Sequence, residues 1–201
     1  AAMLAQQLKL RAAGGGGLSG ASAARAAASV LAAAPMAVPL QEVLHSSSTP
    51  LKGGRRFLLW NLTGMVLSRD ESTYSAIEVD FNDTEQHRTL RLTDHYSFTM
   101  AALDNAAVVF ASRSNNGNPS TIVYRPLASW APNSEWQVQL EKGEETLAVV
   151  LGHKFVAVAT DAQYLRIFSH TGAPRSLLCL AGQLVALAAA AGLMAVVEHA
   201  G

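Results

Sequence analysis

An all-β fold is what this 201-residue sequence predicts, and three observations predict it. From Arg55 onward, short runs rich in Val, Ile, Phe, Tyr and Thr alternate with turn residues, the pattern of strands buried on one or both faces. Hardly any segment after that point has helical spacing. Three stretches, "TMAALDNAAVVFAS", "TLAVVLGHKFVAVAT" and "LVALAAAAGLMAVVEH", share one design: an apolar strand, a short turn, then a second apolar strand with small residues. The copies start near Thr99, Thr146 and Leu184, a spacing of roughly 38–47 residues that suits the blades of a β-propeller. Two further strands fit between copies, such as "YLRIFS" then "RSLLCL", and four antiparallel strands make a blade. The paired apolar strands are the inner ones, where small residues suit a crowded central channel. The prediction is a partial β-propeller of three to four antiparallel blades.

Taken in order, the chain opens with an Ala/Gly-rich tract, residues 1–45, read as a low-complexity linker, disordered or weakly helical. "MLAQQLKLRAA" places Leu4, Leu8 and Arg11 at helical spacing, and "AARAAASVLAAA" has high helix propensity but little to bury. Pro35 and Pro39 end it, and His45–Pro50, "HSSSTP", is a loop. Strands follow at Phe57–Leu62, Gly64–Ser68, Ala76–Phe81, Thr89–Leu92, Thr99–Leu103, Ala107–Ala111 and Thr121–Arg125. Others follow at Trp136–Gln139, Thr146–Leu151, Phe155–Ala159, Leu165–Phe168, Leu177–Cys179, Val185–Ala188 and Leu193–Val197. Ser112–Ser120 is a polar surface loop. Trp60, Val109, Val150 and Ile167 are assigned to the core. The absence of an initial Met and the end at Gly201, just after a strand, read as cuts in a longer protein. A propeller interrupted there leaves apolar surface such as Val185, Leu187, Met194 and Val196 uncovered, so residues 46–201 alone are expected to aggregate.

Composition narrows the function. Fifteen Lys+Arg balance 15 Asp+Glu for a net charge of +0, so few phosphate contacts are on offer and no direct DNA binding is expected. The single cysteine, Cys179, cannot form an internal disulfide and is read as a small buried apolar residue rather than a nucleophile. No uninterrupted apolar run approaches the ~20 residues of a membrane span. Residues 1–41 carry Lys9, Arg11 and Arg25 without an acid, yet the Gly run favours an inter-domain linker over a transit peptide.

Several residue patterns suggest chemistry, and each has a structural alternative. "GGGLSG", Gly15–Gly20, satisfies the dinucleotide-binding spacing, but no strand precedes it and two prolines interrupt the crossover to Glu42. Asp83, Glu85 and His87 alternate and would share a face as metal ligands; the favoured reading ties a strand to its turn by hydrogen bonds. Asp94–His95 forms a second small cluster. His153 and His170 sit at turns, and His45 in the linker is read as solvated. Asn61-Leu62-Thr63 and Asn82-Asp83-Thr84 match the glycosylation sequon by chance. Trp60, Trp130 and Trp136 are inter-blade anchors rather than stacking platforms, since no basic groove accompanies them. Thr49 before Pro50 could accept a phosphate; a loop that happens to hold Thr-Pro is the favoured reading. No catalytic, cofactor-binding or metal-binding residue is assigned, and no cofactor is expected.

"SSSTPLKGGRRFLLWNLTGMV", "IEVDFNDTEQHR", "TMAALDNAAVVFAS", "SWAPNSEWQVQL", "GEETLAVVLGHKFVAVAT", "LRIFSHTG" and "LAGQLVAL", in that order, resemble the middle region of the eukaryotic replisome adaptor family. That family includes the minichromosome loss protein and the WD-repeat and HMG-box DNA-binding protein. The resemblance runs from about Ser46 to His199. It implies that residues 46–201 are the N-terminal part of a second, SepB-like propeller, which follows a WD-repeat propeller and precedes a helical extension. It implies self-association as a homotrimer. It also implies a nuclear, chromatin-associated, non-enzymatic scaffold for DNA replication and sister chromatid cohesion. Such a scaffold couples the GINS complex of the replicative helicase to DNA polymerase alpha through the helical extension, which this chain does not contain. Glu198 departs from the family pattern, which tends to an aromatic residue there. The alternatives are a generic propeller interaction module outside replication and a metal-dependent propeller enzyme using Asp83, Glu85 and His87.

Overall fold

The computed structural model describes residues 40–71, 73–115, 117–127 and 134–200. The proposed linker up to residue 39, the Gly15–Gly20 run and Trp130 lie outside the described residues. The chain divides after Leu40, and the unit Gln41–Gly201 carries the sheets and the candidate site.

That unit is all-β. Its strands are β1 (Arg55–Trp60), β2 (Gly64–Asp70), β3 (Ser75–Phe81), β4 (Leu90–Asp94), β5 (Met100–Leu103), β6 (Ala107–Ala111) and β7 (Thr121–Pro126). They continue as β8 (Trp136–Gln139), β9 (Thr146–Gly152), β10 (Phe155–Thr160), β11 (Tyr164–Phe168), β12 (Pro174–Cys179), β13 (Leu184–Ala190) and β14 (Leu193–Glu198). Consecutive strands pair antiparallel into three four-stranded meanders, β1–β4, β5–β8 and β9–β12, and a hairpin, β13–β14. Every strand expected from the sequence is present, with ends shifted by up to three residues. The first strands of successive sheets pack on one another, β1 on β5, β5 on β9 and β9 on β13. That is the radial order of propeller blades around a central axis. The chain is a partial β-propeller.

Period-2 alternation is what joins the blades, because each inner strand sends alternate residues to opposite neighbours. Ala101, Leu103, Val108 and Phe110 meet Leu58, Val66, Ile77 and Val79 of the first sheet. Their alternates Met100, Ala102, Val109 and Ala111 meet Val149, Leu151, Val156 and Val158 of the third. The alternates of those, Ala148, Ala157 and Ala159, pack with Leu165 and with Leu184 of the hairpin. Val108, Val109, Val156 and Val158 have no exposed surface, and each such burial contributes about 1.5–3 kcal/mol. Small residues on these strands let adjacent sheets approach at the axis.

Val109 is in the core as expected, while Val150 and Ile167 are half-buried at the edge of the third cluster. Three expectations are corrected. Trp60 is 60% exposed. A bulge between Phe57 and Leu59 sends both Leu58 and Leu59 toward the second sheet, so Trp60, opposite Met65, falls on the face that the second sheet does not cover. Cys179 is exposed, because all six residues of β12, the outer strand of its sheet, face solvent. In the β13–β14 hairpin, Leu187, Met194 and Val196 pack toward the third sheet, and the apolar side chains left exposed are Leu193 (78%) and Val197 (51%).

Candidate functional site

The inner strands surround a cavity of about 260 Å³ on the axis. Leu58, Ala102, Val149 and Leu187 give it apolar walls, and His45 and Asn61 bring polar groups. His45 is there because the chain before β1 does not run free. Ser48 N–H donates to the His45 carbonyl (3.3 Å), and Leu44 N–H donates to the Val185 carbonyl (2.8 Å), an isolated parallel bridge to Ala186 of β13. Val43 packs with the third cluster. The expected solvated His45 is therefore half-buried. Burial, then the positive charges of Arg113 and Arg56, hold its pKa below the usual imidazole value. Ser46, next to His45 in the chain, lines the cavity as well, and no carboxylate is among the described lining residues.

The polar residues singled out in the sequence serve turns and blade contacts. Asp83 Oδ1 accepts the Glu85 and Gln86 amides (3.0 and 3.1 Å), and the His87 amide donates to the Asp83 carbonyl (3.2 Å). The His87 ring lies 4.8 Å from that of Phe81. These residues thus close the turn between β3 and β4, as the favoured reading held, and among the described residues no three His, Cys, Asp or Glu are grouped to hold a metal. Asp94 similarly accepts the Tyr96 and Phe98 amides through its two oxygens, at 3.0 and 2.9 Å. His170 Nε2 lies 3.1 Å from the Gly152 carbonyl, and His153 donates its amide to the Ala191 carbonyl.

Asn61 does more than the sequence disclosed. Its Oδ1 accepts the Thr63 and Gly64 amides (2.9 and 3.1 Å), and its Nδ2 donates to the Leu103 carbonyl (2.8 Å). One side chain fixes the β1–β2 turn and ties it to the neighbouring blade. Asn82 Nδ2 donates to the Leu62 carbonyl (2.8 Å), so both sequon amides are already engaged. Asn61→Ala is expected to cost about 2 kcal/mol, from three hydrogen bonds of about 1 kcal/mol each less some recovery by water. Urea denaturation reads this directly, and an unchanged midpoint would contradict it.

Trp136 is an inter-blade anchor, as expected. It stacks on Tyr124 (5.3 Å, 5°), meets Phe168 of the next blade (5.7 Å, 40°), and donates from Nε1 to the His170 carbonyl (3.0 Å). Two long-range polar links were not found in the sequence. Ser120, fully buried, donates from Oγ to the Ser112 carbonyl (2.9 Å) and accepts the Thr146 amide (3.0 Å), coupling the second sheet to the third. Glu144 takes a two-pronged contact from Arg166 (2.8 and 2.6 Å), fastening the turn before β9 to β11. No local signal marks partners 22 residues apart. Glu198, the departure from the family pattern, has a task of its own: its Oε2 accepts the Ala181 and Gly182 amides (2.7 and 2.8 Å) at the turn before β13.

Comparison with known proteins bears on the same unit. A family model described as "Minichromosome loss protein, Mcl1, middle region" matches residues 42–201. The WD repeat and HMG-box DNA-binding protein 1 of Mus musculus is 34% identical over 167 residues, 83% of this chain and 15% of that protein. Minichromosome loss protein 1 of Schizosaccharomyces pombe is 33% identical over 140 residues, 69% of this chain and 17% of that protein. The chain thus spans about a sixth of the length of these relatives. Among solved structures, that of BamB from Moraxella catarrhalis is similar over 72% of this chain and 41% of its own, with a TM-score of 0.45 and 14% identity.

Proposed function

Because this chain belongs to the minichromosome loss protein family, as its middle region, we propose that it is a non-catalytic scaffold segment in DNA replication. The observation that carries the reading is the family match over the whole folded unit, residues 42–201. The architecture is consistent with it. Side chains such as Asn61 and Ser120 spend their hydrogen bonds on turns and blade contacts. In this reading the protein works in the nucleus as a homotrimeric hub. It couples the GINS complex of the replicative helicase to DNA polymerase alpha, with the peptide-receiving helices lying in another segment of the protein. Direct DNA binding by this segment stays weak, because the charge balance of +0 offers few phosphate contacts.

The test is affinity purification of the tagged protein from nuclei of S-phase cells, with sizing by light scattering. GINS and polymerase alpha subunits are expected to co-purify, and the protein itself should size as a trimer. A nuclear protein that purifies with neither, but with factors unrelated to replication, would replace this reading with that of a general propeller interaction module.

A further inference from the structure

The segment that leads into β1 carries an arrangement that the scaffold reading does not use. Thr49 is exposed, outside regular structure, and directly followed by Pro50, with Lys52 three residues on. It is the only Ser or Thr in the sequence that precedes a proline. Its position is nonetheless defined. The Thr49 amide donates to the Phe57 carbonyl and the Phe57 amide donates to Thr49 Oγ1, each at 3.0 Å. Lys52 and Arg55 exchange backbone hydrogen bonds across Gly53 and Gly54, both at positive φ (60° and 72°), which turns the chain back tightly. The Thr49 hydroxyl is thereby held against β1 at Phe57, the residue that follows Arg56.

Arg56 belongs to a group of positive charges. Arg56 pairs with Ser68, on the face of β1 turned toward the second sheet, and Arg113 follows β6 of that sheet. His45 comes from the leading segment itself. Among the described residues neither arginine has a carboxylate partner, and the buried Nε of Arg56 has no hydrogen-bond acceptor. A buried cationic donor without a partner is uncommon and costly, and an anion is the chemistry that satisfies it. The three groups also feel one another: burial and then Arg113 depress the Arg56 pKa, and both arginines depress that of His45.

We propose that Thr49 is a phosphorylation site for a proline-directed kinase, and that His45, Arg56 and Arg113 form the cationic receptor for its phosphate. In the transfer, Thr49 Oγ1 attacks the γ-phosphorus of ATP. The new O–P bond forms as the bond to the β-phosphate bridging oxygen breaks, ADP leaves, and the hydroxyl proton passes to the base of the kinase. Freeing the loop for the kinase breaks the two exposed Thr49–Phe57 hydrogen bonds, a small cost because water replaces them. The product carries a charge of about −1.5 to −2 and new acceptor oxygens, to which guanidinium groups donate strongly. The consequence is mechanical. Residues 43–49 touch both the first blade, through Thr49 and Phe57, and the hairpin, through Leu44 and Val185. A phosphate fixed at one end therefore steadies the whole strap beside the cavity. This goes beyond the scaffold role and does not depend on it.

The experiment treats the full 201-residue chain with a cyclin-dependent kinase and ATP, and locates the phosphate by mass spectrometry. Phosphate is expected at Thr49 and absent from Thr49→Ala. In the phosphorylated chain, phosphorus NMR should place the second phosphate ionisation below its usual value of about 6. Hydrogen exchange at the Leu44 amide should slow by about tenfold. The Arg56→Gln/Arg113→Gln variant should take up phosphate but show neither effect, and the exposed Arg113→Gln change alone should weaken both while leaving exchange in β6 unaltered. No phosphate at Thr49 overturns the proposal, as does an ordinary ionisation in the phosphorylated chain or one that the variants leave depressed. Capture of a separate phosphothreonine peptide, with the chain's own phosphate ionising normally, reassigns the receptor to a partner and overturns it too.

Discussion

Trp136→Ala is expected to lower the unfolding free energy by about 3 kcal/mol, the low end of the usual cost of truncating a core aromatic, because the indole is half-buried against the core. The ring lies between two blades, parallel to Tyr124 on its own sheet and tilted against Phe168 on the next. Its loss opens a cavity where the two sheets meet and leaves the His170 carbonyl without the indole donor. The neighbouring backbone cannot close the gap cheaply. Gly172 sits at φ 83°, with the space a Cβ would take only 2.8 Å from Trp136 Cγ, so that loop is shaped around the indole. Trp136→Phe should cost about 1–2 kcal/mol, keeping most of the stack and losing the hydrogen bond. Trp60→Ala supplies the contrast: with the ring 60% exposed, it should shift stability by less than about 1 kcal/mol. Urea denaturation followed by circular dichroism reads all three. Equal effects at Trp136 and Trp60 would mean that blade contacts do not govern stability.

Arg166→Leu should be as damaging, by about 3 kcal/mol at neutral pH, because it leaves the Glu144 carboxylate buried without its partner. The Glu144 side chain is only 8% exposed and that of Arg166 25%, so the pair is shielded far better than a surface ion pair. The hydrogen bonds from Arg166 hold the Glu144 pKa below the usual carboxylate value, against the opposing effect of burial. A depressed folded-state pKa stabilises fully above the unfolded-state value and loses that stability as pH falls through the folded-state value. Wild-type stability should therefore decline on acidification. In the variant, protonation relieves the stranded carboxylate instead. The gap between the two proteins should narrow as pH drops below the ordinary carboxylate range. A gap constant from neutral to acidic pH would show that the carboxylate is not what the arginine stabilises.

The sequence alone was enough to place the fourteen strands of the described residues, because period-2 alternation and turn residues are local signals that survive without knowledge of neighbours. The repeated apolar hairpin at blade spacing gave the radial arrangement, since only an inner strand buried on both sides needs apolar residues at consecutive positions, as at Ala107–Ala111. The Asp83–His87 turn was legible for the same local reason. What the tertiary structure decided is which face meets which neighbour. Alternation says that Leu187 and Val197 point opposite ways, not that Leu187 packs inward and Val197 stays half exposed. A single bulge in β1 was enough to put Trp60 outside. Position in the sheet, outermost rather than inner, exposed Cys179. Asn61 with Leu103, which binds blade to blade, and Glu144 with Arg166, which fastens a turn to β11 of the third sheet, join residues 42 and 22 positions apart. His45, Arg56 and Arg113 likewise come together from three separate segments. Hydrogen bonds and charges act over a few ångströms of space, and only the folded path of the chain sets which residues come that close.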